Sequence, residues 1–153
     1  MKKNRKQRGQ VALEFIFILL IIIIYIFTVT KPIIDNATGI SEDIDNVSRT
    51  NNEAQKLLNS VTRVSMLGAG SKETLNMIVP ANSTIKCYSA GIIGFNTTLT
   101  VKPYPPQCTS GVCDKNFNMP AGLTVNCSLQ NINGQGTVLV RKEVDNSVVV
   151  TQG

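Results

Sequence analysis

Residues 1–31 read MKKNRKQRGQVALEFIFILLIIIIYIFTVTK, and the order of chemistry in this stretch decides the architecture. A basic head of Lys2, Lys3, Arg5, Lys6 and Arg8 precedes Gly9-Gln10. An apolar run from Val11 to Val29 comes next, interrupted by one acid, Glu14. At 1.5 Å per residue, a helix over residues 11–30 spans roughly 30 Å, the thickness of a bilayer core. A carboxylate inside such a run costs about 3 kcal/mol at mid-bilayer, so Glu14 calls for a partner. An ordinary secretory signal has an apolar core of about 7–15 residues and a small-x-small cleavage site after it. This run is longer, and Phe27-Thr28-Val29-Thr30-Lys31-Pro32 offers no such site. The segment is therefore expected to stay in the mature protein.

The charge balance agrees. The 153-residue chain carries 15 Lys+Arg against 10 Asp+Glu, a formal +5. Five of the bases lie in residues 1–8, where there is no acid; the remaining ten balance the ten acids. The basic excess thus belongs to the leader and acts as a topology signal, keeping the N-terminus cytoplasmic and sending the chain after the apolar run outward. It does not form the basic patch that a nucleic-acid-binding domain needs, and no nucleic-acid partner is expected.

Beyond the apolar run a helical period continues. Pro32 removes one hydrogen bond and tends to kink a helix without ending it. Ala37, Ile40, Ile44, Val47, Asn51, Ala54, Leu58 and Val61 then alternate at spacings of three and four, with Leu57 and Val64 widening the stripe. Asp35, Glu42, Asp43, Asp45, Arg49, Asn52, Glu53 and Lys56 are placed on the opposite, polar face. Gly68-Ala69-Gly70 is the expected stop. The stripe is expected to support a domain of its own chain.

From Ser71 the period changes. Thr74–Val79, Thr84–Ala90, Ile92–Lys102, Leu123–Leu129, Thr137–Val144 and Ser147–Thr151 are short runs rich in Val, Ile, Thr and Leu. They are separated by turn signals such as Pro80-Ala81-Asn82 and Asp145-Asn146. The predicted fold class is α+β: one long N-terminal helix, hydrophobic then amphipathic, carrying a small antiparallel β head. The segments are 1–9 leader, 10–31 membrane or core helix, 32–70 amphipathic helix and 71–153 extracellular head.

Cys87, Cys108, Cys113 and Cys127 all lie in the head. An even number confined to an outward-facing domain of this size predicts two disulfides. Three pairings are open; the preferred one joins Cys108 to Cys113 around a short loop and Cys87 to Cys127 across strands. Zinc is disfavoured, because paired C-x-x-C units are missing and the chain has no His; no metal or cofactor is expected. Five N-glycosylation sequons begin at Asn36, Asn46, Asn82, Asn96 and Asn126, roughly twice the number composition alone gives. Asn82 and Asn96, near turns or strand ends, are the better acceptors, and Asn36 lies closest to the membrane. Without His the usual Ser-His-Asp and Cys-His arrangements are impossible. The acids show no pairing for acid–base work, and no phosphate-binding Gly-rich loop is present. The chain is not expected to be an enzyme.

The stretch Arg8-Gly9-Gln10-Val11-Ala12-Leu13-Glu14-Phe15 resembles the class III leader and helix start of type IV pilin-like proteins, above all archaeal pilins whose mature chains begin Gln-x-small-x-Glu. The close match covers about residues 5–30. The resemblance implies cleavage by a membrane prepilin peptidase between Gly9 and Gln10, which makes Glu14 the fifth mature residue. The new α-amino group has a reference pKa near 8 and is largely cationic at neutral pH. The resemblance further implies that Glu14 neutralises the N-terminus of a neighbouring subunit in a helical filament. A buried charge is tolerable when so paired and costly when its partner is removed. The implied partners are copies of the chain, the peptidase, an assembly platform and its ATPase. The implied location is the membrane as a precursor and a surface filament, for adhesion or attachment, when mature. Two other expectations remain beside this one: a minor pilin or pseudopilin that primes or caps a filament, and an uncleaved membrane-anchored extracellular binding domain. An archaellum filament protein fits less well, because its helix start usually lacks the Gln-x-small-x-Glu pattern.

Overall fold

The computed structural model describes residues 4–88, 92–106, 108–120, 122–129 and 131–153, residues 4–11 by backbone alone. One helix, α1 (Asn4–Met66), precedes eight strands: β1 (Lys72–Val79), β2 (Ser83–Tyr88), β3 (Ile92–Thr98), β4 (Cys108–Thr109), β5 (Val112–Asn118), β6 (Val125–Cys127), β7 (Gly134–Lys142) and β8 (Val148–Gln152). The architecture is α+β. The chain divides into two compact units, Met1–Gly39 and Ile40–Gly153.

Among its described residues the first unit is helix alone. Its side chains from Ala12 to Thr38 are all exposed. They include Leu13, Phe15 and an almost unbroken series of Ile, Leu and Phe to Ile34. A helix satisfies its backbone polar groups internally, which is the condition for crossing lipid. The helix is long and apolar enough for that by length and composition. Pro32 sits inside it, and the hydroxyls of Thr28 and Thr38 turn back to donate to the Ile24 and Ile34 carbonyls, a local bond that keeps a polar side chain compatible with apolar surroundings.

In the second unit the remainder of α1 is covered on one side. Ala54, Leu57, Val61 and Val64 are buried, and Val47 and Leu58 pack against the same cluster. The buried line on the helix is Asp43, Val47, Thr50, Ala54, Leu57, Val61 and Val64. It shares Val47, Ala54, Leu57, Val61 and Val64 with the stripe read from the sequence, Leu57 and Val64 being its widening positions. Elsewhere it is turned one position, so Ile44, 65% exposed, and Ile40 are left outside. Asp43, placed by sequence on the polar face, is buried. The reason is tertiary: its carboxylate meets the loop after β3, far along the chain.

Two four-stranded sheets complete the unit, in the orders β1-β7-β8-β6 and β2-β3-β5-β4. All pairs are antiparallel except β6 with β8, which is parallel. Side chains alternate across each sheet as the pleat dictates. In β1, Leu75, Met77 and Val79 face inward while Thr74, Asn76 and Ile78 face out. The inward faces and α1 share one core of Leu57, Met77, Ile85, Ile93, Val138, Val140, Val148 and Val150, all fully or nearly fully buried. Each large member contributes about 1.5–3 kcal/mol by leaving water. A reciprocal pair of backbone bonds between Ile85 and Ile132 closes the outer edge of β2.

Helix α1 ends at Met66, slightly before the expected glycines. Its last turn is closed by a basic side chain: Lys142 Nζ donates to the Ser65 carbonyl at 2.7 Å and to the Leu67 carbonyl at 2.8 Å. A cation satisfies orphan carbonyls and the negative end of the helix dipole together. Gly70, at φ +85°, then reverses the chain into β1.

Strands β4 and β5 have no counterpart among the runs expected from the sequence. The run expected over Ile92–Lys102 stops at Thr98, and that over Leu123–Leu129 contracts to β6. Within Thr84–Ala90, positions 89 and 90 lie outside the described residues.

Candidate assembly sites on the helix and head

The expected leader site, Gly9-Gln10, falls where only the backbone is described: both residues belong to α1, and their side chains lie outside the described residues. Glu14 is four residues further on, exposed at the side of the helix. It is surrounded in sequence by Leu13, Phe15 and Ile16, each more than half exposed. This surface has the length and composition of a membrane anchor or signal. Chemically it is a long apolar stripe that carries one carboxylate, Glu14.

The head brings together the cysteines. Cys87 is bonded to Cys127 across 40 residues, with Cα atoms 5.7 Å apart, and Cys108 to Cys113 across 5. The first joins β2 of one sheet to β6 of the other. The second ties β4 to β5, where the two residues are direct cross-strand partners. Bonds of this kind persist in oxidising compartments, which fits an extracellular domain.

The feature that sequence reasoning missed is a carboxylate clamp. Asp43, 6% exposed, accepts hydrogen bonds from the backbone N–H of Thr100 at 2.8 Å and of Val101 at 3.0 Å, and from the Thr100 hydroxyl at 3.0 Å. One side chain of α1 thus fixes the segment leaving β3. Next to it, Leu99 N–H bonds the Gly111 carbonyl, and Leu99 packs with the Cys108–Cys113 disulfide and Tyr104 in a small second core. Only the unexplained burial of an acid could have shown this in advance, and burial is not visible in a sequence.

The clamp forms the wall of an open groove of about 810 Å³. The groove is lined by Ile40, Ile44 and Val47 of the helix together with Phe95, Leu99, Pro103 and Pro105. At its rim Lys115 Nζ donates to Asn51 Oδ1 at 3.0 Å and lies 5.1 Å above the centre of the Phe117 ring. The groove is mainly apolar and can hold apolar side chains; Asp43, Asp114 and Lys115 also line it. No cluster of three or more metal-ligating side chains occurs among the described residues.

A second polar group joins α1 to β1. Glu73 accepts from Ser60 Oγ at 2.8 Å and pairs with the Arg63 guanidinium. The Ser60 hydrogen bond, reinforced by Arg63 and opposed by partial burial, holds the Glu73 carboxyl below its ordinary value. In the β7–β8 turn the hydroxyl and N–H of Ser147 donate to Asp145 and lower its pKa in the same way.

The sequons are dispersed. Asn36 and Asn46 lie on α1. Asn82 is exposed in the turn between β1 and β2, Asn126 is exposed on β6, and Asn96 is half-buried on β3, where its Oδ1 accepts from the Thr84 hydroxyl. No family model matches the chain, and no curated protein or solved structure matches it.

Proposed function

We propose that this chain is the precursor of a structural subunit of a type IV pilus-like surface filament, serving adhesion or attachment. The observation that carries the reading is the division of labour along α1. From Ala12 to Ile34 the helix is exposed and largely apolar, with Glu14 among the apolar side chains. Towards its C-terminal end, a single face is buried in a disulfide-bonded β domain. An exposed apolar surface of this length needs cover, first from lipid and then from copies of itself. In this reading a prepilin peptidase cuts between Gly9 and Gln10, and an assembly platform with its ATPase extracts the chain from the membrane. Glu14 sets register by meeting a neighbour's new α-amino group. Glycans on Asn82 and Asn126, whose side chains are exposed, would coat the filament.

A minor, priming or capping role uses the same chemistry and differs in abundance. The second reading, an uncleaved membrane-anchored binding domain, is favoured by the same apolar length if the leader is retained. Replacement of Gly9 by valine separates them. The pilin reading expects Gly9→Val to abolish processing and surface filaments. Normal processing of that variant would refute the assigned cleavage site.

A further inference from the structure

The outward face of the β2-β3-β5 sheet breaks two rules of strand composition at one place. Gly94 occupies the middle of the central strand β3, where glycine forgoes both packing and chain rigidity and often marks close approach by a ligand. On β5, Asp114, Asn116 and Asn118 occupy successive outward positions, although Asp and Asn are poor strand formers. Departures from local preference are expected where function overrides stability.

The side chains around Gly94 explain what the departure provides. Lys86, Gly94 and Asn116 are direct cross-strand neighbours, as are Tyr88, Ile92 and Asn118. A Cβ on Gly94 would meet Asn116 Oδ1 at 2.5 Å and Tyr88 Cε2 at 3.3 Å. The missing side chain therefore lets the Tyr88 ring and the Asn116 amide approach the sheet. Tyr88 remains 48% exposed. The result is an accessible aromatic ring near the Asn116 amide, with Asn118 across Ile92 on the same face as one ammonium (Lys86) and one carboxylate (Asp114). Three strands about 4.8 Å apart and four residues of rise give a patch of roughly 10 by 13 Å, the footprint of a disaccharide.

We propose that this face binds a neutral saccharide. An aromatic ring with a polar handle suits a ligand that is apolar on one side and hydroxylated at its edge. Sugar rings present C–H groups on one face and hydroxyls around the rim. The amides of Asn116 and Asn118 donate and accept at once, as hydroxyls require. The charges of Lys86 and Asp114 balance, which favours an uncharged ligand over an anionic one. Asn96, on the same face and engaged by Thr84, then belongs to the surface of the site and carries no glycan. The proposal is independent of the filament reading, because the same face would bind sugar on a tethered head.

The test is saturation-transfer NMR on the full chain in lauryldimethylamine oxide micelles, a detergent without a sugar headgroup, with two neutral probes, maltotriose and fully N-acetylated chitotriose. The expected result is transfer to the sugar ring C–H protons of at least one probe. Roughly tenfold weaker binding is expected in Tyr88→Ala and in Asn118→Ala, with binding largely kept in Tyr88→Phe, since the ring carries the contact. Both positions are exposed, and intact disulfides with an unchanged circular dichroism spectrum verify each variant's fold. Absence of transfer to both probes, equal transfer in Tyr88→Ala, or a glycan mass attached at Asn96 would overturn the proposal.

Discussion

Replacing Asp43 by alanine removes the acceptor of three hydrogen bonds at once, two of them from the main chain of Thr100 and Val101. Hydrogen bonds to a charged group contribute about 1.5–3 kcal/mol each when the alternative is an unpaired donor. The full sum is not reached, because Thr100 is exposed and its N–H recovers water in the variant. Alanine is also a better helix former than aspartate, which returns about 0.5 kcal/mol. The net destabilisation of the head is expected to be about 2–3 kcal/mol. Asp43→Asn keeps the shape and one acceptor oxygen and should cost about 1 kcal/mol. With a urea slope of about 1–3 kcal/mol/M, the alanine variant's midpoint should fall by roughly 1–2 M. Tyrosine fluorescence of the full chain in micelles reads the transition, as the chain has three Tyr and no Trp. Amide exchange locates it: protection at Thr100 and Val101 should fall further than at Ile93, in the main core. A midpoint within about 0.3 M of wild type, or unchanged protection at Thr100, would refute the clamp.

Three further outcomes follow, two from the geometry and one from the filament reading. Because the Glu73 pKa is lowered on folding, its contribution to stability is present above the ordinary carboxylate value and is lost as pH falls through the lowered one. Ser60→Ala should therefore flatten the acid limb of the stability profile below about pH 4.5; an unchanged limb would remove Glu73 as its source. Replacing both Cys87 and Cys127 by serine opens a 40-residue loop and should cost about 4 kcal/mol by loop entropy, against about 2 for the Cys108–Cys113 pair; urea titration of the two double variants checks the order. Glu14→Val should be processed and stable in the membrane yet enter filaments poorly, and wild-type incorporation measured in sheared fractions would reduce Glu14 to a bystander.

Much of the architecture is legible because it rests on local pattern. The apolar run, the change from helical to alternating period near Ser71 and the confinement of cysteines to the β region need no knowledge of distant partners. The phase of the amphipathic helix is harder to read. Apolar residues form two adjoining stripes, one through Ile40, Ile44 and Leu58, the other through Leu57 and Val64. The second is buried in the β core, and Asp43, on its line, is held by Thr100 and Val101, 57 and 58 residues away. No local rule reports such a partner. Strand β5 is hidden for the reason that makes its outer face of interest: Asp114, Asn116 and Asn118 dilute the signal that Cys113 and Phe117 give on the inner face. The parallel pairing of β6 with β8 is likewise set by the path of the intervening chain, which strand patterns do not encode. Gly9, Gln10 and Glu14, by contrast, are readable only as a motif, since a single chain holds neither the peptidase nor a neighbouring subunit.

The claim at the centre of this account is that the exposed apolar helix is clipped and then assembled. The N-terminal residue of the protein in a sheared cell-surface fraction, read by terminal sequencing and intact mass, tests it most directly. A terminus at Gln10 is expected in sheared filaments. A terminus at Met1, with the protein confined to membranes, would contradict it and leave the helix as a plain anchor beneath a tethered head.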